Sequence, residues 1–140
     1  MQKNERGAAL LEFALVFGIF VFVLYGLIAF GMMLSMKQTI THAATEGARA
    51  AIGVTDDPAT PNDEREDAAK ARVASALSGW NAAQVAHTSV VVSFPNTCPT
   101  SCIKVHITYD YKNQPLVPPA PGLGLVTPDT LSSDAIVALS

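Results

Sequence analysis

An uncharged run of 24 residues, at positions 13–36, most constrains what this chain can form. As an α-helix the run is about 36 Å long, enough to cross a hydrocarbon core of about 30 Å. A buried core helix is the alternative, but the rest of a 140-residue chain could hardly surround it. A cleaved secretory signal would have a shorter apolar region, and the Ala-Arg-Ala sequence at 48–50 lies too far beyond the run to be its cleavage site. The run therefore predicts a membrane-spanning helix.

The basic residues around the run predict its orientation. Lys3 and Arg6 precede it in a very short tail together with the α-amine, whereas Lys37 and Arg49 follow it. Basic residues in short flanking segments favour the cytoplasmic side, so we expect the N-terminus in the cytoplasm and the C-terminal domain outside. The net charge is −3 and the chain has no basic block, so we expect no nucleic-acid partner.

The helical pattern continues beyond the membrane run. Apolar and small residues recur at helical spacing on one face, and these are Ile40, Ala43, Ala44, Gly47, Ala48 and Ala51. Polar residues occupy the other face, and these are Gln38, Thr45, Glu46 and Arg49. One helix is therefore predicted from about residue 8 to about residue 52, ending at Gly53. Its small-residue face can pack on the protein's own sheet, which we favour, or on a neighbouring backbone.

A second, amphipathic helix is predicted after the acidic and Pro-containing stretch. Thr60 can act as its N-cap and Pro61 as its first residue, with acids in the first turn. Helical spacing then continues to about Gly79, and Trp80 is a candidate core residue.

The hydrophobic period changes to two in the last third of the chain. Residues 90–94 place Val90, Val92 and Phe94 on one face, and residues 103–111 alternate with Ile103, Val105, Ile107, Tyr109 and Tyr111 inward. These segments predict an antiparallel hairpin, and residues 131–139 predict a third strand, with a short helix as the alternative. The fold class is α+β and pilin-like: a long N-terminal helix, a second amphipathic helix and a small three-stranded antiparallel sheet. The predicted divisions are a leader at 1–7, the helix at 8–52 and an extracytoplasmic domain at 53–140.

The two cysteines, Cys98 and Cys102, lie in the loop between the first two predicted strands. A disulfide is the default pairing if this domain is outside the cytoplasm. Two thiolates supply only half a zinc site, and the sequence has no second pair, so we expect no metal.

The sequence contains no recognisable catalytic set. His42, His87 and His106 lack metal-ligand spacing, and no Gly-rich phosphate loop or nucleophile elbow is present. His106 falls on the polar face of its strand, where solvation explains it. We therefore expect neither enzymatic activity nor a cofactor.

Glu12 is an acid near the start of the membrane run. An ionised carboxylate in hydrocarbon costs several kcal/mol unless it is paired or lies near the interface. Glu12 can lie among lipid headgroups, favoured by the positive end of the helix dipole, or it can have a specific partner.

The sequence around Glu12 resembles the processing region of type IV pilin-like proteins. Arg6-Gly7 is followed by an apolar helix in which Glu12 and Phe13 form the Glu-Phe pair of the tight-adherence (Flp) group. The resemblance implies cleavage by a prepilin peptidase between Gly7 and Ala8, which makes Glu12 the fifth residue of the mature chain. It also implies that Glu12 pairs with the new amine of an adjacent subunit.

A second stretch, THAATEGARAAI, resembles the segment that follows the membrane span in TadE-like pseudopilins. This resemblance implies a minor pilin or pseudopilin anchored by a single pass in the bacterial inner membrane. The implied partners are other pseudopilins, the major Flp pilin, the prepilin peptidase, the inner-membrane pilus platform and the lipid bilayer. The resemblance leaves open whether the protein enters the pilus or stays at its base. The alternative is a single-span cell-envelope ectodomain that binds or anchors without processing.

Overall fold

The structure, a computed structural model, describes residues 3–55, 62–95, 98, 101–118 and 127–139, with side chains from residue 7 onward. The elements in chain order are α1 (Lys3–Ile52), α2 (Asp63–Ala76), α3 (Ala82–Ala86), β1 (Thr88–Ser93), β2 (Cys102–Asp110) and β3 (Thr130–Ala138). The α+β prediction is confirmed. The side chains of the basic leader, Thr60, Pro61 and residues 119–126 of the Pro-rich connection lie outside the described part.

The long helix is confirmed, but it begins at Lys3 rather than near residue 8. Its helical backbone passes through Gly7 and Ala8 without a break. It ends at Ile52, directly before Gly53, as predicted. One continuous helix therefore joins the apolar N-terminal run to the domain.

The three strands form one antiparallel sheet with β2 in the centre. β1 pairs with β2 from Thr88 opposite Tyr109 to Ser93 opposite Lys104. The third strand is also confirmed, which rules out the short helix considered as its alternative. Period-two alternation was a reliable guide because only one face of the sheet is buried. That face includes all five predicted inward residues of the second strand, and these are Ile103, Val105, Ile107, Tyr109 and Tyr111.

Two helices cover the buried face of the sheet. α1 lies over β2 and β3, whereas α2 packs along α1 and reaches β1. Trp80 is partly buried and packs its ring edge-on to Tyr109, with the centroids 5.5 Å apart. The expected role of Trp80 as a core residue is therefore confirmed.

The start of the second helix was predicted wrongly. α2 begins at Asp63, and its N-cap is Asn62 in the left-handed conformation at φ 74°. Asparagine tolerates this conformation better than most residues. The predicted cap Thr60 and first residue Pro61 lie outside the described residues, and the observed cap is Asn62. The helix also ends at Ala76, before the predicted Gly79, because residues 77–79 form a turn.

The short helix α3 was not predicted. Its five residues are too few to show a helical period. Its start carries a capping box, in which the Gln84 amide donates to Asn81 Oδ1 at 2.8 Å and the Asn81 amide donates to Gln84 Oε1 at 2.9 Å. The Asn-x-x-Gln spacing was the available sequence signal.

The small-residue face of α1 packs on α2 as well as on the protein's own sheet, which was the favoured partner. Its six residues are all fully buried: Ile40, Ala43, Ala44, Gly47, Ala48 and Ala51. The contact is closest at Gly47, where a Cβ would lie 2.6 Å from Val73 Cγ2 and 3.1 Å from the Ala69 carbonyl oxygen. Gly47 is therefore required by the close approach of α2.

Glu46 links the same two helices at the edge of this contact. The Arg72 guanidinium donates to Glu46 Oε2 from Nη2 at 2.9 Å and from Nε at 3.3 Å. This hydrogen bond holds the pKa of Glu46 below its usual range. Its helical position predicted Glu46 on the polar face opposite the small residues, but Glu46 lies at the edge of the contact with α2.

We predict that Gly47→Ala destabilises the domain whereas Gly31→Ala does not. The new methyl at position 47 meets a stiff β-branched side chain and a backbone oxygen, whereas a Cβ at Gly31 meets no atom within 4 Å. Overpacking should exceed the gain in helix propensity and leave a net loss of about 1–2 kcal/mol. Thermal unfolding in detergent should show a lower Tm for Gly47→Ala alone. An equal rise in Tm for both variants would contradict the close contact.

We predict that the Glu46–Arg72 pair contributes to stability above the usual pKa of glutamate and that this contribution is lost on acidification. A lowered folded-state pKa has this sign, because the unfolded chain takes up the proton first as the pH falls. The difference in Tm between the wild type and Glu46→Gln should therefore shrink from about pH 5 to about pH 3. Arg72→Gln should behave in the same way, and the double variant should resemble either single variant. Parallel Tm curves for wild type and Glu46→Gln would exclude the pair as the cause.

Candidate functional site

The N-terminal half of α1 exposes a long apolar surface. Large side chains from Leu10 to Leu34 are mostly 36–71% exposed, and in the described chain only this helix is long and apolar enough to cross a membrane. Its most apolar 18-residue window has a mean hydropathy of 2.7 and is 6% buried. A surface of this kind needs lipid or protein neighbours, because water solvates it poorly. The helix therefore has the properties of a single-pass membrane anchor.

Glu12 lies on this bare surface. Its side chain is exposed, and it forms no ion pair with any described side chain. The sequence places no other formal charge between Ala8 and Met36. Glu12 is therefore a single acid on an apolar helix, and any partner for it comes from outside the described side chains of this chain.

The other predicted residues of this region lie close to Glu12 along the helix. Phe13 stacks on Phe17, with ring centroids 5.7 Å apart. A Cβ at Gly7 would meet no atom within 4 Å, as is also true at Gly18, Gly26 and Gly31. Gly7 therefore has no packing role within the chain, in contrast to Gly47.

The structure joins Cys98 and Cys102 in a disulfide at the end of the β1–β2 connection. Cys102 is buried at the start of β2, opposite Ala138 of β3. The Leu139 amide donates to the Ser101 carbonyl at 2.8 Å, next to this bridge. The disulfide therefore closes one end of the sheet, far in sequence from Gly7 and Glu12. The described residues contain no cluster of three or more His, Cys, Asp or Glu side chains that could hold a metal.

A polar cluster on the open face of the sheet was not predicted. His106 Nδ1 contacts Asp134 Oδ1, His106 Nε2 lies 2.9 Å from Thr108 Oγ1, and Lys104 Nζ lies 3.4 Å from Asp134 Oδ2. The hydrogen bond with His106, helped by Lys104, lowers the pKa of Asp134. The chain of contacts Thr108–His106–Asp134 resembles the nucleophile, base and acid of a catalytic triad.

The simplest explanation of this cluster is a cross-strand charge pair on a solvated surface. The side chains of His106 and Asp134 are 38% and 48% exposed. Solvent at that exposure screens the charges, so the pair is of the ordinary surface kind. The sequence signal was absent, because the register that places Asp134 opposite His106 is a property of the sheet. His106 is therefore paired, and not merely solvated as expected.

Residues 7–49 match a family model described as TadE-like protein. The matched segment contains Gly7, Glu12 and Phe13 at its bare end, and Glu46 and Gly47 where it enters the core. No curated protein matched the chain, and no solved structure did. Residues 7–49 are thus similar to the TadE-like family, as the resemblance of the sequence predicted.

Proposed function

We propose that this protein is a minor pilin or pseudopilin of a tight-adherence (Flp) pilus, anchored in the bacterial inner membrane. The TadE-like match carries the proposal, since that family is associated with assembly of this pilus. The matched segment is one helix with two functions: its bare end is available to lipid or other subunits, and its other end is part of the domain core. In this proposal the protein acts as a structural component and not as an enzyme.

The proposed processing step is cleavage between Gly7 and Ala8 by a prepilin peptidase on the cytoplasmic side. A glycine inside a helix costs about 0.5–1 kcal/mol relative to alanine. No contact within the chain offsets this cost, because the surroundings of Gly7 are open. Recognition by the peptidase would explain why a glycine occupies position 7, which packing does not explain.

The proposed assembly contact is between Glu12 and the α-amine created at Ala8. The two positions are four residues apart and therefore share one side of the helix. In hydrocarbon an unpaired charge costs several kcal/mol, so an amine from an adjacent subunit would be a strongly favoured partner. Two helices in register would satisfy both charges. The expected neighbours are other pseudopilins and the major pilin, on the platform in the inner membrane.

We predict that co-expression with the cognate prepilin peptidase removes residues 1–7 from the wild type. Gly7→Val should keep the leader, whereas Gly18→Val should be processed normally. The two glycines are matched, because each lies in α1 with no atom within 4 Å of an added Cβ. Intact-mass measurement of the purified protein distinguishes the two chain lengths. Retention of the leader by the wild type in piliated cells would refute the processing step.

We predict that Glu12→Gln impairs pilus assembly while the protein still inserts in the membrane. Removing the charge also removes the reason to pair with a neighbour, but it makes insertion easier. Counting pili per cell measures assembly, and membrane fractionation measures insertion. Glu64→Gln is the matched control, since it removes an exposed acid from α2 outside the membrane run. Normal piliation with Glu12→Gln would show that the carboxylate has no pairing function.

A further inference from the structure

The chain that follows β2 descends along α1 into the apolar run. Leu116 lies beside Met32 and Met36, where it helps to line a cavity of about 210 Å³ together with Trp80. Two residues later, the Pro118 carbonyl accepts a hydrogen bond from the Tyr25 hydroxyl. Residues 114–118 are called here the descending loop. It brings the domain down to Tyr25, well inside the uncharged run.

The descending loop is fixed at both ends. At its upper end the buried Tyr109 donates its hydroxyl proton to the Gln114 carbonyl at 2.7 Å. At its lower end it is held by Tyr25, and Ala29, one turn above, is only 3% exposed. The other side of the helix is bare at the same level, with Leu27 67% exposed. The loop therefore lies against one side of α1 and is held to the folded domain.

The position of the loop limits how far the hydrocarbon can extend. Tyr25 lies twelve residues, or about 18 Å, before Lys37 along the helix axis. A hydrocarbon core reaching Lys37 would therefore enclose the loop. Irregular backbone exposed to lipid leaves polar groups unsatisfied, at several kcal/mol for each group. The outer edge of the hydrocarbon must then lie near Tyr25.

We propose that the descending loop and Tyr25 lie in the interfacial layer of the membrane, so that the domain rests directly on the lipid surface. This inference rests on the proposed membrane anchoring of α1. The loop lies directly beside the anchor helix. It has no charged residue, and its apolar residues Pro115, Leu116, Val117 and Pro118 follow Gln114. Tyrosine is typical of membrane–water interfaces, where its ring and hydroxyl meet different solvents. The charged pair of Lys112 and Asp129, 3.5 Å apart, lies outside the loop.

This position of the membrane places Glu12 inside the hydrocarbon. Glu12 lies thirteen residues before Tyr25, about 20 Å below it along the axis. In a core of about 30 Å this leaves Glu12 roughly 10 Å from the inner boundary. A span ending at Lys37 would instead leave Glu12 among the headgroups. The loop thus favours the partner-seeking explanation of Glu12 over the headgroup explanation.

The same position leaves apolar side chains above the lipid. Leu34 is 57% exposed and stands about 13 Å above Tyr25, beyond the hydrocarbon. An exposed leucine at this level is available for contact with protein, as expected of an assembly component.

The experiment measures the depth of the loop in lipid vesicles. Single cysteines are introduced into the full-length chain by Pro118→Cys, Ala71→Cys and Leu15→Cys, and each is labelled with a fluorophore sensitive to polarity. The native disulfide is left intact and verified by mass. Three preparations of phosphatidylcholine vesicles are compared: one without a nitroxide, one with a nitroxide near the top of the acyl chain, and one with a nitroxide near its end. The deep nitroxide is needed because Leu15 lies ten residues, or about 15 Å, below Tyr25 and therefore near the middle of the hydrocarbon. Ala71 is the matched control, because it is exposed on α2 beside Arg72, which pairs with Glu46 far above Tyr25.

We expect the label at position 118 to lose at least about half of its fluorescence, as an interfacial group within about 10 Å of the acyl boundary should. The label at position 71 should keep nearly all of its fluorescence. Weak quenching at 118 by the shallow nitroxide, with strong quenching at 15 by the deep one, would overturn the interfacial loop but leave the anchor intact. Weak quenching at 118 and at 15 by both nitroxides would overturn the membrane anchor as well.

Discussion

The close contact between the small-residue face of α1 and the layers below it is the interaction on which the rest of the structure depends. Alanine and glycine bring the helix backbone near α2 and the sheet, and Gly47 leaves no space for even one methyl group. Apart from Ile40 and Met36 of α1, the large buried side chains come from the other elements, above all Val73 of α2 and the inward residues of β2. Because the contact is made by one side of α1 only, the helix can belong to the core and still continue as an anchor.

The continuity of α1 fixes the position of Glu12 relative to the domain. Glu12 and Glu46 are 34 residues apart, which on one straight helix is about 51 Å. No described break separates the acid from the core contact. If the descending loop lies at the membrane interface as proposed, its level near Tyr25 determines how deep the acid lies in a membrane. The hydrogen bond from Tyr25 to the Pro118 carbonyl thus helps to set the depth of Glu12, which lies about 20 Å away along the helix.

The accuracy of the sequence predictions follows from which interactions are local. The strands and the upper part of α1 were predicted correctly, because each buries one face and shows that face as a period in the sequence. The start of α2 was predicted wrongly, because Asn62 adopts a left-handed conformation that a cap based on Thr60 and Pro61 did not anticipate. α3 is shorter than two turns and left no period to recognise. The pairing of His106 with Asp134 depends on strand register, which the sequence does not express locally.

The sequence by itself determined that this chain has one apolar span, an acid five residues after Gly7, and a small α+β domain. These features depend on hydrophobicity, charge and period, which each residue carries with it. Only the tertiary structure decided which glycine is required by packing. Gly7 and Gly47 are both helical glycines, and they differ in the atoms of other elements that surround them. Only the tertiary structure also decided that the descending loop meets α1 at Tyr25, because the two are some ninety residues apart in sequence. Contacts of that range arise from the packing of the whole domain, and no local pattern encodes them.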